Sequence, residues 1–307
     1  MKTEPLSAPW AQHLPQPWQR NYDASWRLMR ADRPIGWLLL LWPTLIALFL
    51  ASEGMPSLHL LIVFIGGVWL TRAAGCVIND YADRWLDSKV TRTHKRPLVA
   101  GELSGRFALG LFAALMLVAL LLVITTNVLT VGFSVVAVAL AAVYPYMKRH
   151  TYLPQVWLGL AFSWGVPMAY TAVHDTWPPP EAWLLLCANV LWTTAYDTWY
   201  AMVDRDDDRT SGAKSTALLF GDLDVPVMVV LYLLAALAFL LLGLRAELGI
   251  GYWMGMLVAM GFVVHLFSYG RSRHRDDCFA AFLENNWVGA SLFGGLALHF
   301  FIAPPVL

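Results

Sequence analysis

Long apolar runs broken by short polar stretches dominate the chain. Nine of them approach the roughly 20 residues needed to cross a bilayer. They fall at about 35–52, 58–79, 106–125, 127–146, 152–172, 181–203, 224–244, 249–269 and 285–303. In lipid only helices or a closed barrel satisfy the backbone, and runs this long exclude the roughly ten-residue alternation of a barrel strand. The pattern predicts an all-α polytopic membrane protein, with about nine transmembrane helices in one bundle over residues 26–307. Residues 1–25 carry Pro5, Pro9, Pro15 and Pro17 and little apolar continuity. They lack the basic-then-apolar order of a cleaved signal, and are expected to form a disordered or surface-lying tail.

Composition agrees. Hydrophobic residues make up 58% of the chain and charged ones 14%, against roughly 25% charged in a soluble domain. Fifteen tryptophans suit the aromatic belts of a bilayer. A formal net charge of zero gives no footing for nucleic acid. Cys76, Cys187 and Cys278 lack metal-ligand spacing and read as small buried apolar residues. Nineteen of the 21 Lys and Arg flank alternate ends of the runs, leaving Arg245 on the other side and Arg72 inside a run. The positive-inside rule then predicts a cytoplasmic N-terminus and an external C-terminus.

Two apolar runs end in acidic stripes on the predicted cytoplasmic side. The first is Asn79-Asp80-Tyr81-Ala82-Asp83-Arg84-Trp85-Leu86-Asp87. At about 100° per residue, Asn79, Asp83, Asp87 and Asp80 share roughly a quarter-turn arc. Like charges at this spacing repel, and cost more beside a bilayer. A divalent cation would offset them, and oxygen-only ligands suit Mg²⁺ or Ca²⁺ rather than Zn²⁺. The second stripe runs from Tyr196 to Asp208, with Asp197, Tyr200, Asp204 and Asp208 predicted on one helical face and Asp206 turned to water. The two stripes form a weak internal repeat, and such repeats often place a site at their interface.

The loop after each stripe is basic: Arg92, Lys95 and Arg96 follow the first, and Arg209 and Lys214 the second. Carboxylates with cations nearby could bind a metal and a phosphate together; the plain alternative is that the basic loops only anchor the cytoplasmic surface. Arg72 lies seven residues before Asn79, on the same face, as a counter-charge for an anionic substrate or as a snorkelling side chain. His59, His174 and His299 are expected at the outer interface. Gly66-Gly67 and Gly294-Gly295 are expected to let helices pack closely.

The stripes resemble the paired Asn-Asp-x-x-Asp-x-x-x-Asp and Tyr-x-x-x-Asp-x-x-x-Asp motifs of the UbiA prenyltransferases. Here these are Asn79, Asp80, Asp83 and Asp87, and Tyr200, Asp204 and Asp208. The resemblance spans about residues 27–300 and is closest to the branch that prenylates 4-hydroxybenzoate in ubiquinone synthesis. It is carried further by Arg33-Pro34-Ile35-Gly36, Leu41-Trp42-Pro43-Thr44, Gly75-Cys76, Tyr144-Pro145, Lys148-Arg149, Leu153-Pro154-Gln155 and Lys214-Ser215-Thr216. Trp199 stands where that branch has glutamine, and Lys95 where it has asparagine. The resemblance implies Mg²⁺ between the motifs and the diphosphate of a polyprenyl donor, held by Asp83, Asp87, Asp204 and Asp208 with Asn79 and Asp80 beside them. It implies substrate contacts from Arg96, Arg149, Tyr200 and Lys214, with Arg72 or Arg33 pairing the carboxylate of 4-hydroxybenzoate. It places the protein among membrane lipid, in a bacterial inner membrane, with the site on the cytoplasmic side. Another aromatic acceptor, such as a dihydroxynaphthoate, is the near alternative. A cation-coupled transporter is the distant one, and the absence of obvious helix interruptions weighs against it.

Overall fold

The computed structural model describes residues 16–87 and 96–302. All regular structure there is helical: α1 (Gln16–Leu28), α2 (Ile35–Ala51), α3 (Leu58–Asp87), α4 (Gly105–Val123), α5 (Val128–His150), α6 (Pro154–Ser163), α7 (Gly165–His174), α8 (Pro180–Val203), α9 (Arg205–Ser211), α10 (Thr216–Phe220), α11 (Asp224–Arg245), α12 (Ile250–Gly270) and α13 (Arg275–Ile302). Each predicted span falls on a helix, but the nine are not equal. Six segments among the described residues are long and apolar enough to cross a membrane: α3, α4, α5, α6 with α7, α10 with α11, and α12. α2 is short at 17 residues. α8 buries Asn189, Thr193, Thr194 and Thr198, and α13 carries Asp276, Asp277 and Glu284, so both are more polar than a lipid-facing span. The fifth predicted span is interrupted at Trp164, between α6 and α7.

Local sequence sets the ends. Ser104 Oγ accepts from the Phe107 amide at 3.1 Å and starts α4. Asn127 Oδ1 accepts from the Thr130 amide at 2.8 Å and starts α5. Pro154 and Pro180 open α6 and α8, where a missing N–H costs nothing.

Contacts divide the chain into two units, with boundaries inside α2 and α3: residues 1–37 with 65–125, and 38–64 with 126–307. In the first unit, Ala24 and Leu28 of α1 pack with Ala73, Ala74 and Val77 of α3, and with Leu103, Ala108 and Leu115. In the second, α8 packs against α6, α7, α11 and α13, and α12 lies along α13. A polar hub sits inside this unit. Asn285 Oδ1 accepts from Trp192 Nε1 at 2.9 Å and from Tyr232 OH at 2.8 Å, while Asn285 Nδ2 donates to the Ala281 carbonyl at 2.8 Å. With no water inside a bilayer, such mutual satisfaction is what permits buried amides and indoles.

Two packing expectations change. Gly295 of α13 does make a close approach, to Gly255 of α12, but Gly294 and Gly67 face open space. Cys76 and Cys278 are buried, whereas Cys187 is exposed; on a lipid-facing surface a small apolar side chain is as well placed outside as in.

Candidate functional site

The first motif lies on the last turns of α3, which continues as one helix to Asp87. Asn79 and Asp83 are half-buried. The side chain of Asp87, and residues 91–95 of the basic loop, lie outside the described residues. Asp80 differs from its neighbours. It is 2% exposed, and its carboxylate accepts two bonds of 3.0 Å from Arg30 Nη2 and pairs with Arg96 Nη1 at 3.0 Å. Arg30 follows α1 in the left-handed region (φ 56°) and also donates to the Arg27 carbonyl at 2.9 Å. Asp80 therefore joins the end of α1 to α3 and fixes Arg96, and its oxygens are engaged by guanidinium groups.

Arg72 is half-buried on α3, and its Nε is buried without a hydrogen-bond partner. Its guanidinium lies against Gly36: a Cβ there would come within 2.8 Å of Nε and Nη2. A donor held in a glycine-lined cradle suits an anion. Arg33 is exposed and pairs with Asp32 at 3.6 Å.

The second motif is not on one helix. α8 ends at Val203, Asp204 adopts φ −97° and ψ 6°, and α9 begins at Arg205. Asp204 and Asp208 are joined across the break by the Asp208 amide donating to the Asp204 carbonyl at 2.8 Å. Asp206 is exposed, as its helical position predicted, and Asp197 and Tyr200 lie on α8, with Tyr200 packed edge-on against Phe282. Burial pushes the Asp208 carboxyl up to about 6; Asp204 and Asp207 push the same way, against Ser215 and Lys148.

Cations surround the motif. The amide of Lys214 donates to the Lys148 carbonyl at 2.8 Å, and its ammonium reaches the His150 carbonyl at 3.4 Å. That places the loop after α9 beside the end of α5, where Arg149 is exposed. Gly212 turns the chain with φ 75°. Beneath the loop, Gln155 Oε1 accepts from the Thr216 amide at 3.1 Å, and Thr198 and Thr216 hydroxyls share a bond of 2.8 Å. Arg275, at the start of α13, pairs with Asp207 at 3.0 Å and lies 3.7 Å from Asp204. Sequence reading passed over Arg30, Arg275 and a third group, Arg205 with Asp224 and Arg273. Nothing in local spacing joins these residues; the one available sign was Asp224 at the head of an apolar run.

Among the described residues, no three carboxylates, histidines or cysteines converge as a complete metal site. The donors are nevertheless oxygen-only, and Mg²⁺ commonly takes one or two carboxylates and fills its shell with phosphate oxygens and water. Such a cation, with a phosphate ligand, fits the residues present.

The model of the UbiA prenyltransferase family matches residues 40–294. The chain is 59% identical over 281 residues to a 4-hydroxybenzoate octaprenyltransferase of Xanthomonas euvesicatoria pv. vesicatoria (strain 85-10), covering 92% of this chain and 93% of that one. It is 57% identical over 281 residues to the enzyme of that name from Xylella fastidiosa (strain 9a5c), covering 92% and 94%. Among solved structures, the apo form of a UbiA homolog from Aeropyrum pernix K1 superposes with a TM-score of 0.73 at 25% identity, over 83% of this chain and 96% of that one. A UbiA homolog from Archaeoglobus fulgidus, bound to GPP and Mg²⁺, gives 0.65 at 18% identity, over 89% and 99%, a likeness of fold. With its paired carboxylate motifs, its apolar helices and this similarity over 92% of its length, the chain is an integral membrane protein that belongs to the UbiA prenyltransferase family.

Proposed function

We propose that this protein transfers a polyprenyl group from polyprenyl diphosphate to 4-hydroxybenzoate, at the ring carbon ortho to the hydroxyl, releasing diphosphate for ubiquinone synthesis. The observation that carries this is the 59% identity, across 92% of the chain, to a 4-hydroxybenzoate octaprenyltransferase. The geometry supports it with two carboxylate motifs set among cations.

In this reading Asp83, Asp87, Asp204 and Asp208 hold Mg²⁺ and Asn79 helps to place it. Bound Mg²⁺ supplies Lewis-acid stabilisation of the departing diphosphate. Asp80 is assigned instead to fixing Arg30 and Arg96, because both its oxygens are engaged. Arg96, Arg149 and Lys214 face the diphosphate charge as it develops, with Tyr200 beside the donor. The donor's allylic carbon–oxygen bond breaks, the ortho ring carbon forms the new carbon–carbon bond, and the ring proton is lost to restore aromaticity. Arg72 pairs the acceptor carboxylate through its guanidinium, whose Nε is buried, and exposed Arg33 is the lesser candidate. The prenyl chain lies among apolar helices in the bilayer.

The break at Trp164 removes the argument that uninterrupted spans exclude a transporter. No charged side chain stands at that break, however; the first carboxylate motif closes α3, and the second spans the end of α8 and the start of α9. The site belongs to the cytoplasmic side of a bacterial inner membrane, with the N-terminus inside and the C-terminus outside. The test is to incubate membranes containing the protein with labelled 4-hydroxybenzoate, octaprenyl diphosphate and MgCl₂. Labelled prenyl product that EDTA abolishes is expected; no product with 4-hydroxybenzoate, alongside product with a dihydroxynaphthoate, would transfer the assignment to the other acceptor.

A further inference from the structure

Asp224 heads α11 and is fully buried, yet nothing in the proposed chemistry uses it. Its carboxylate is surrounded by donors. Arg205 Nη2 closes on Oδ2. Arg273 Nε lies 3.0 Å from Oδ1 and 3.3 Å from Oδ2, with Nη2 2.7 Å from Oδ1. The Val225 amide adds a bond of 2.6 Å, and Arg273 Nη2 also donates to the Asp222 carbonyl at 2.9 Å.

Three further observations suggest a role beyond stability. A buried ion pair is a weak stabiliser, often no better than apolar residues of the same volume, so stability alone does not account for a fully buried Asp224 between two arginines. Arg205 meets Asp224 through one terminal nitrogen, while its Nε is buried without a hydrogen-bond partner; a pair serving stability alone has no use for that loss. Arg273 is held in the left-handed region at φ 61°, a strained backbone for a residue with a Cβ.

The two arginines mark what is being positioned. Arg205 directly follows Asp204, at the backbone break, and is the first residue of α9, which carries Asp208. Arg273 stands two residues before Arg275, whose guanidinium faces Asp204 and Asp207. One buried carboxylate thus ties down both the turn that presents the second carboxylate motif and the loop that presents a cation to it.

We propose that Asp224 is a positioning residue for the second carboxylate motif, acting through Arg205 and Arg273 to set the angle at which α9 leaves α8. The proposal rests on the reading of that motif as a Mg²⁺–diphosphate site. Groups that orient metal ligands typically change metal affinity by about 10–100-fold when removed.

The test uses the purified full chain in detergent, with Mn²⁺ binding followed by electron paramagnetic resonance in the presence of inorganic diphosphate. Asp224→Asn is expected to weaken Mn²⁺ binding about tenfold or more while leaving the KM for 4-hydroxybenzoate unchanged. Arg205→Gln should do the same, and it leaves Asp224 paired with Arg273, so it decides the matter alone if Asp224→Asn does not fold. The double variant should bind no more weakly than the weaker single variant, as expected for residues acting as one unit. Mn²⁺ affinity within about twofold of wild type in a folded single variant, or losses that multiply in the double, would overturn the proposal. Asp204→Asn separates the two readings. Loss of Mn²⁺ there with retention in Asp224→Asn rejects the positioning role alone; retention in Asp204→Asn rejects the metal reading and this proposal with it.

Discussion

At the scale of single residues, environment separates side chains that look alike in sequence. Asp80, Asp83, Asp204 and Asp208 are all motif carboxylates, but Asp80 is neutralised by two arginines, whereas Asp208 is pushed up to about 6 by burial and by neighbouring carboxylates. A carboxyl whose value rises on folding favours the folded state while protonated. That contribution is complete below its ordinary value near 4 and is lost as pH rises through about 6. Metal-free Asp208→Asn should therefore melt higher than wild type at pH 7.5, and the difference should be clearly smaller at pH 5, vanishing only below about pH 4. Melting curves of both proteins in EDTA check this; an equal difference at both pH values would mean that Asp208 titrates normally. Arg72 permits a kinetic prediction. If it pairs the acceptor carboxylate, Arg72→Ala should raise the KM for 4-hydroxybenzoate by about ten- to 150-fold, the worth of a charged hydrogen bond of roughly 1.5–3 kcal/mol, and leave the donor KM alone. Gly36→Ala, which places a methyl group against the same guanidinium, should shift the acceptor KM in the same direction by less. Steady-state kinetics with each substrate varied in turn would reject the carboxylate role if both KM values rose equally.

At the scale of elements, the helices were legible because a bilayer demands long apolar runs, and those runs are explicit in the sequence. Of the two interruptions, the one at Trp164 is marked by Gly165 and by Pro167, which has no N–H for the Ser163 carbonyl; the other is not. No Gly or Pro marks the break at Asp204; Val203-Asp204-Arg205 is compatible with an unbroken helix, and the pairing of Arg205 lies 19 residues away at Asp224. Helical projection placed Asp80 in the acidic arc, but could not foresee Arg30 arriving from 50 residues earlier. α13 starts ten residues before its predicted span, because Asp276, Asp277 and Glu284 hide its first turns from a hydropathy reading. The glycine pair at 294 and 295 shows the same limit: composition suggested close packing, and only the fold distinguishes the two positions. A Cβ at Gly255 would lie 2.5 Å from the Gly295 Cα and the Ser291 carbonyl, backbone atoms that cannot rotate away. Gly255→Ala should cost about 1–3 kcal/mol, as overpacking does, while Gly294→Ala, facing open space, should be neutral or slightly stabilising. Comparing the two melting temperatures in detergent checks the α12–α13 contact directly.

At the scale of the whole molecule, the charge distribution and the family fold lead to one coupled prediction. In the sequence pattern both carboxylate motifs stand at those ends of the apolar runs that nineteen of the 21 Lys and Arg flank, ends for which the positive-inside rule predicts a cytoplasmic location. Mg²⁺ takes one or two carboxylates and completes its shell with phosphate oxygens and water, so one diphosphate could be held through carboxylates of both motifs or of one alone, and the two cases predict different losses. If one diphosphate engages both motifs, Asp83→Asn and Asp204→Asn should each abolish prenyl transfer while the protein stays folded in the membrane. The double variant should then be no worse than either single one, because residues that act as a unit give strongly non-additive losses. Turnover near wild type in either single variant would reject the shared site. Losses that multiply would indicate two separate binding events. Orientation is checked on the same membranes: a reporter fused after residue 307 and one inserted between α9 and α10 should report opposite faces. If both report one face, then the number of crossings between them is even, and α13, which carries Asp276, Asp277 and Glu284, is the first to re-examine as a span.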